Sequence, residues 1–187
     1  MPQTKKHVRW VRYSRWVHKK ISLALFIFFF IISLTGLLLG IKKETGLLAP
    51  TAKGSSPEIN QWLPLSELTL RANRYLKDSV SRELSTELDR IDVRPGKGIA
   101  KFIYADHYWG LQLDCTTGEL LTVEKRHSDF IENLHDGSIV DDLFGTPDEE
   151  FKVGYNILIG LSLIFMIISG LWLWYGPKRI RKLKRMH

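Results

Sequence analysis

Acidic residues are missing from both ends of this sequence. Residues 1–20 carry seven Lys and Arg and no Asp or Glu; residues 176–187 carry six and again no acid. Charge of either sign is missing from Ile21 to Ile41, 21 positions, and from Val153 to Tyr175, 23 positions. At about 1.5 Å per residue, each run is long enough to cross a hydrocarbon core of about 30 Å. A net charge of +7 and 44% hydrophobic residues would suit a basic soluble domain. These distributions exclude that reading. Cysteine is nearly absent. Cys115 stands alone, so no intrachain disulfide framework holds the fold. Absent too are Gly-x-Ser-x-Gly, a phosphate loop, zinc-ligand spacing and a dinucleotide fingerprint. No hydrolytic or nucleotide-binding constellation is therefore recognised, and no NADPH or flavin domain is expected in tails of 20 and 12 residues.

What is present is a hairpin of two apolar runs with a polar insert. The tails together are +13, and the insert Lys42–Lys152, with 14 bases and all 20 acids, is −6. Short basic flanks stay on the cytoplasmic side of a membrane. Both termini are therefore expected in the cytoplasm and residues 42–152 outside. Trp10 and Trp16 before the first run, and Trp172, Trp174 and Tyr175 at the end of the second, suit one inner-leaflet aromatic belt. The tail charges are explained by topology, so no nucleic-acid partner is expected. The first run and its charged flank are too long for a cleaved signal peptide, and no small-x-small site follows.

The expected order is a basic tail (1–20), transmembrane helix 1 (21–41), a linker (42–64) and an extracytoplasmic domain (65–125). A juxtamembrane helix and acidic loop (126–152), transmembrane helix 2 (153–175) and a basic tail (176–187) follow. The fold class is a membrane protein with an α+β insert. Gly46, Pro50, Gly54 and Pro57 punctuate the linker without apolar periodicity. Leu65, Leu68, Ala72, Tyr75 and Leu76 recur at helical intervals. Short strands are expected over 88–93, 99–104, 108–113 and 119–123, divided by turns such as Pro95-Gly96 and Thr117-Gly118. A second helix is expected over 128–134, ended or loosened by Gly137. Cys115 is expected at a strand end or turn.

Three motifs occur in order: Arg15-Trp16-Val17-His18 opening a span that carries Leu34-Thr35-Gly36; Leu111-Gln112-Leu113-Asp114-Cys115-Thr116-Thr117-Gly118-Glu119-Leu120-Leu121 in the insert; and Asn133-Leu134-His135-Asp136-Gly137 before a span ending Ser169-Gly170-Leu171-Trp172-Leu173-Trp174. In this order and spacing the chain resembles the PepSY-associated transmembrane family, in a short two-span form. The family's larger members resemble iron-regulated inner-membrane proteins, some of them haem-containing ferric-siderophore reductases with four or more spans. The resemblance implies an inner-membrane component of electron transfer to a ferric siderophore, with His18 and His135 as axial ligands of haem b. One hairpin offers one suitable histidine per leaflet, so the site implies a homodimer or a partner membrane subunit. Gly36 and Gly40 supply a small-x-x-x-small pattern for dimer packing or for packing between the spans. His127 shares a helix face with His135, about 12 Å away by helix rise, and cannot clamp the same iron. His107 reads as a solvated turn residue, and His7 and His187 as tail residues. The acidic run Asp141, Asp142, Asp148, Glu149 and Glu150 reads as a solvated rim, with a hard-cation site as the alternative. The resemblance also leaves open a non-enzymatic role: a membrane-tethered PepSY module that binds peptides or restrains an envelope protease.

Overall fold

The computed structural model describes residues 2–146 and 150–185. The chain divides into two compact units, one built from residues up to Leu37 and from Asn133 onward, the other from Leu38–Glu132.

The first unit contains two long helices, α1 (Pro2–Gly40) and α5 (Glu150–Arg185). Lys5–Gly40 and Glu150–Lys182 are long and apolar enough to cross a membrane, and only 6% and 11% of their most apolar windows are buried. An apolar surface left this open is what a bilayer covers. Both helices outrun the expected spans. The basic tail continues α1 back to Pro2, because Lys, Arg and the aromatic residues are tolerated in helices and no Gly or Pro interrupts residues 3–35. The helices run antiparallel and meet at a few points. Val11 lies beside Gly176, and the Ser22 hydroxyl is 3.5 Å from the Met166 sulfur.

The second unit is an antiparallel sheet in the order β1 (Leu88–Arg94), β2 (Ile99–Tyr104), β3 (Trp109–Asp114), β4 (Leu120–Lys125), covered by helix α2 (Leu65–Ser79). The two-residue period of the strands sends Ala100, Phe102, Tyr104, Leu111 and Leu113 to one face. Leu68, Ala72 and Leu76 of α2 pack on them, and Cys115 completes this core. Leu68→Ala should cost about 2–5 kcal/mol, since the side chain is almost fully buried. Thermal unfolding of the full chain in detergent checks it. Cys115 lies just past β3, fully buried. Burial, with the charge of Asp114 adding, pushes its thiol up to about 11, so it is not poised for an intermolecular disulfide.

The opposite face carries the polar side chains of Lys101, Gln112 and Glu124. The segment expected to be a loose linker covers them. The Ala52 amide donates to Gln112 Oε1 at 2.9 Å, and Gln112 Nε2 donates to the Pro50 carbonyl and to Glu124, which also pairs with Lys101. The Gly54 amide donates to the Lys97 carbonyl at 2.8 Å. Asp114, 2% exposed, accepts hydrogen bonds from the Ser55 hydroxyl and amide and from the Thr116 and Thr117 amides. Burial alone would raise its pKa. The Ser55 hydroxyl and the Thr117, Thr116 and Ser55 amides outweigh burial and hold the carboxyl below its usual range.

A carboxyl depressed in the folded state contributes stability above its unfolded pKa of about 3.9 and loses it as pH falls through the folded value. Asp114 should therefore contribute fully at neutral pH and fail only below about pH 4. Urea midpoints measured from pH 6 down to pH 2.5 should fall in that acid range for the wild type. The Asp114→Asn variant should be weaker at pH 6 and should show less of the fall.

Candidate functional site

Helix α3 (His127–Asp136) crosses from one unit into the other, and its last turn brings His135 to α1. His135 Nδ1 is 2.9 Å from the Thr35 hydroxyl. That hydroxyl lies 2.7 Å from the Ile31 carbonyl and 3.3 Å from the Ile32 carbonyl. A hydroxyl has one proton, and here it is directed to α1's own backbone. Thr35 therefore accepts from the imidazole, so Nδ1 carries the proton and Nε2 keeps a lone pair. The ring rests against Gly36, where a Cβ would stand 3.3 Å from His135 Cε1.

The other end of the helix pair repeats this arrangement. His18 Nδ1 is 2.7 Å from the Ser169 hydroxyl, which donates to the Met166 carbonyl at 3.2 Å. Gly170 lies against His18 Cε1 at 3.8 Å. Each histidine thus faces a hydroxyl–glycine dipeptide, Thr35-Gly36 or Ser169-Gly170, on a facing helix. Thr35 is 4% exposed and Ser169 6%, so both hydroxyls are paired away from water. Among the described residues neither Nε2 has a partner. A hydrogen bond at one imidazole nitrogen fixes the tautomer and aims the other at a ligand.

The structure does not bring His18 and His135 together. His18 and Thr35 are 17 positions apart on α1, about 25 Å by helix rise. His127 is exposed and takes no part. His107 is not the solvated turn residue expected. It accepts from the Trp109 amide at Nδ1, and its Nε2 lies 3.0 Å from the Ser85 carbonyl, so both nitrogens are committed to the turn. Gly36 faces His135 within the chain, whereas nothing lies within 4 Å of a Cβ at Gly40.

Asp141 also departs from the expected solvated rim. It is 5% exposed on α4 (Ser138–Phe144) and accepts from the Thr146 hydroxyl and from the Phe151 and Lys152 amides. It thereby caps the first turn of α5. Burial would raise its pKa, but the Thr146 hydroxyl and the Lys152 and Phe151 amides hold it below the usual carboxylate range. Asp142 accepts from Asn133 at 3.0 Å. Asp148, Glu149 and His187 lie outside the described residues. Among the described residues no group of three His, Cys, Asp or Glu side chains is arranged to hold a metal ion.

Two membrane-length helices around a helix-plus-sheet insert, with His–hydroxyl contacts that join the first and third motifs, agree with a comparison of the whole sequence. The family described as the PepSY-associated TM region matches residues 15–187. The chain belongs to that family. No curated protein and no solved structure gives a significant match. This PepSY-associated protein is a membrane protein, and the family's span includes every residue of both His–hydroxyl pairs. Thr35-Gly36 and Ser169-Gly170 are visible in the sequence as parts of motifs. Their role as partners of the two histidines is not, because it depends on which helix faces which.

Proposed function

We propose that two copies of this chain hold b-type haem, through His18 Nε2 at one end of the spans and His135 Nε2 at the other. The protein then serves as an electron-transfer component of ferric-chelate reduction in the bacterial cytoplasmic membrane. The observation that supports this most is the repeated His–hydroxyl–carbonyl relay, which leaves an imidazole lone pair at each end of a hydrocarbon-length helix pair. The donor set fits a b-type axial position, and one imidazole per end makes a second chain the source of the other ligand. Haem held there supplies reversible one-electron transfer. The chain's own residues fix the tautomer, orient the rings and keep water from the buried hydroxyls. The +13 tails support a cytoplasmic location for both termini, with the insert and His135 on the outer side, where a ferric siderophore is met.

The test is an absorption spectrum of protein expressed with ample haem and purified in mild detergent. A Soret band and an α band that sharpens on dithionite addition are expected. Their absence overturns the proposal. A colourless protein that co-purifies with an envelope peptidase favours the tethered-module role instead.

A further inference from the structure

The tail end of the helix pair carries a second feature, which adjoins the His18 seat through Ser169. Three cavities adjoin one another around Trp10. One, of about 520 Å³, is lined by Lys6, Arg9, Trp10 and Tyr13. Another, of about 500 Å³, is lined by Lys6, His7, Trp10 and Trp172. The third, of about 380 Å³, is largely apolar, with Trp10, Val17, Phe165, Ile168 and Trp172 among its walls. Lys6 and Val17 are about 16 Å apart along α1 by helix rise. The cleft thus passes from cationic to aromatic to aliphatic toward the centre of the apolar run. Trp10 is 54% exposed and Tyr13 58%, so the aromatic walls are open to an occupant. Lys6 and Arg9 make no ion pair or hydrogen bond among the described residues, and residues 1–20 hold no acid to neutralise them.

We propose that this cleft is a specific binding site for an anionic phospholipid. Lys6 and Arg9 take the phosphodiester, Trp10 and Tyr13 flank the glycerol region, and an acyl chain runs past Val17, Phe165 and Ile168. Charge complementarity selects the headgroup. The apolar cavity, which shares the Trp10 wall with the cationic ones, selects an amphiphile over a free phosphate. Indole and phenol rings beside lysine and arginine at the headgroup level suit this ligand.

The test is native mass spectrometry of the full chain in detergent, titrated with phosphatidylglycerol and, separately, phosphatidylcholine of the same acyl chains. Phosphatidylglycerol should bind at least tenfold more tightly. A Lys6→Ala/Arg9→Ala variant should lose about 30-fold, from the roughly fivefold expected per basic residue near an anionic headgroup. Lys6→Arg/Arg9→Lys, which keeps both charges, should retain the affinity. Lys182→Ala, outside the cleft, should bind as the wild type does. Unchanged helix content by circular dichroism shows that the alanine variant is folded. Equal binding of the two lipids overturns the proposal. So does an equal loss in Lys182→Ala, which would mean diffuse attraction to the tails. Displacement of phosphatidylglycerol by millimolar glycerol 3-phosphate also overturns it, because the ligand would then be a phosphate without a tail. None of these readouts depends on haem, so a haem-free protein leaves the test intact.

Discussion

His135→Ala should abolish one class of haem and leave the other, and His18→Ala should do the reverse. Each variant removes the imidazole seated on a hydroxyl at its end of the helix pair, and the two ends are about 25 Å apart by helix rise. Neither histidine can substitute for the other. Haem content per chain, measured as the pyridine haemochrome, should fall to about half in each variant and to background in the double variant, if both sites fill in the wild type. Unchanged content in both single variants would remove these histidines as ligands. Thr35→Val and Ser169→Ala keep the ligands but release Nδ1 from its acceptor. Loss of such a support weakens metal binding by about 10–100-fold. These two variants should therefore bind haem more weakly and shift its midpoint potential, each affecting only the end whose hydroxyl was removed.

Gly98→Ala should be the most damaging single-methyl change in the insert. Gly98 has φ +64°, in the left-handed region, and a Cβ there would stand 2.2 Å from the Ser56 carbonyl oxygen. Across the same contact, a Cβ at Gly54 would stand 2.3 Å from the Gly98 oxygen. Both obstacles are backbone, so no side-chain rotation relieves them. A loss on the order of 3 kcal/mol is expected, combining backbone strain with displacement of the 50–57 segment. Gly46→Ala is the control. Its φ is +73°, but a Cβ there meets nothing within 4 Å, so only the cost of about 1 kcal/mol for the conformation applies. Hydrogen exchange of the full chain in detergent distinguishes the two. The amides of Ala52, Gly54 and Cys115 should lose protection in Gly98→Ala and keep it in Gly46→Ala.

That contrast marks where the sequence could be read and where it could not. The four strands and α2 follow the two- and 3.6-residue periods of Ala100, Phe102, Leu111, Leu68 and Ala72, because one buried face imposes its period on the sequence. The 42–64 segment has no period, yet Ala52, Gly54 and Ser55 are fixed to the sheet through side-chain and backbone hydrogen bonds that leave no periodic trace. Lys101, Gln112 and Glu124 alternate as a solvent face does. Polarity alone does not distinguish water from a covering strip of backbone. α1 begins well before its apolar run for a different reason: charge marks where a membrane begins, whereas a helix ends only where propensity or capping ends it. Asp141 belongs to an acidic run by composition, and only the start of α5 beside it shows that it is a cap.

The two histidine seats also constrain how the chain can vary. Deleting one residue between His18 and Thr35 would turn the rest of α1 by about 100° and draw it back about 1.5 Å. His18 could still reach Ser169, or Thr35 could still reach His135, but not both. The 17-position interval is therefore a fixed length, shared by two contacts at opposite ends. The exposed turn around Ser81–Glu83, which spans no such pair, is free to gain or lose residues. Among descendants of this sequence, insertions should accumulate in that turn and be absent from the interval.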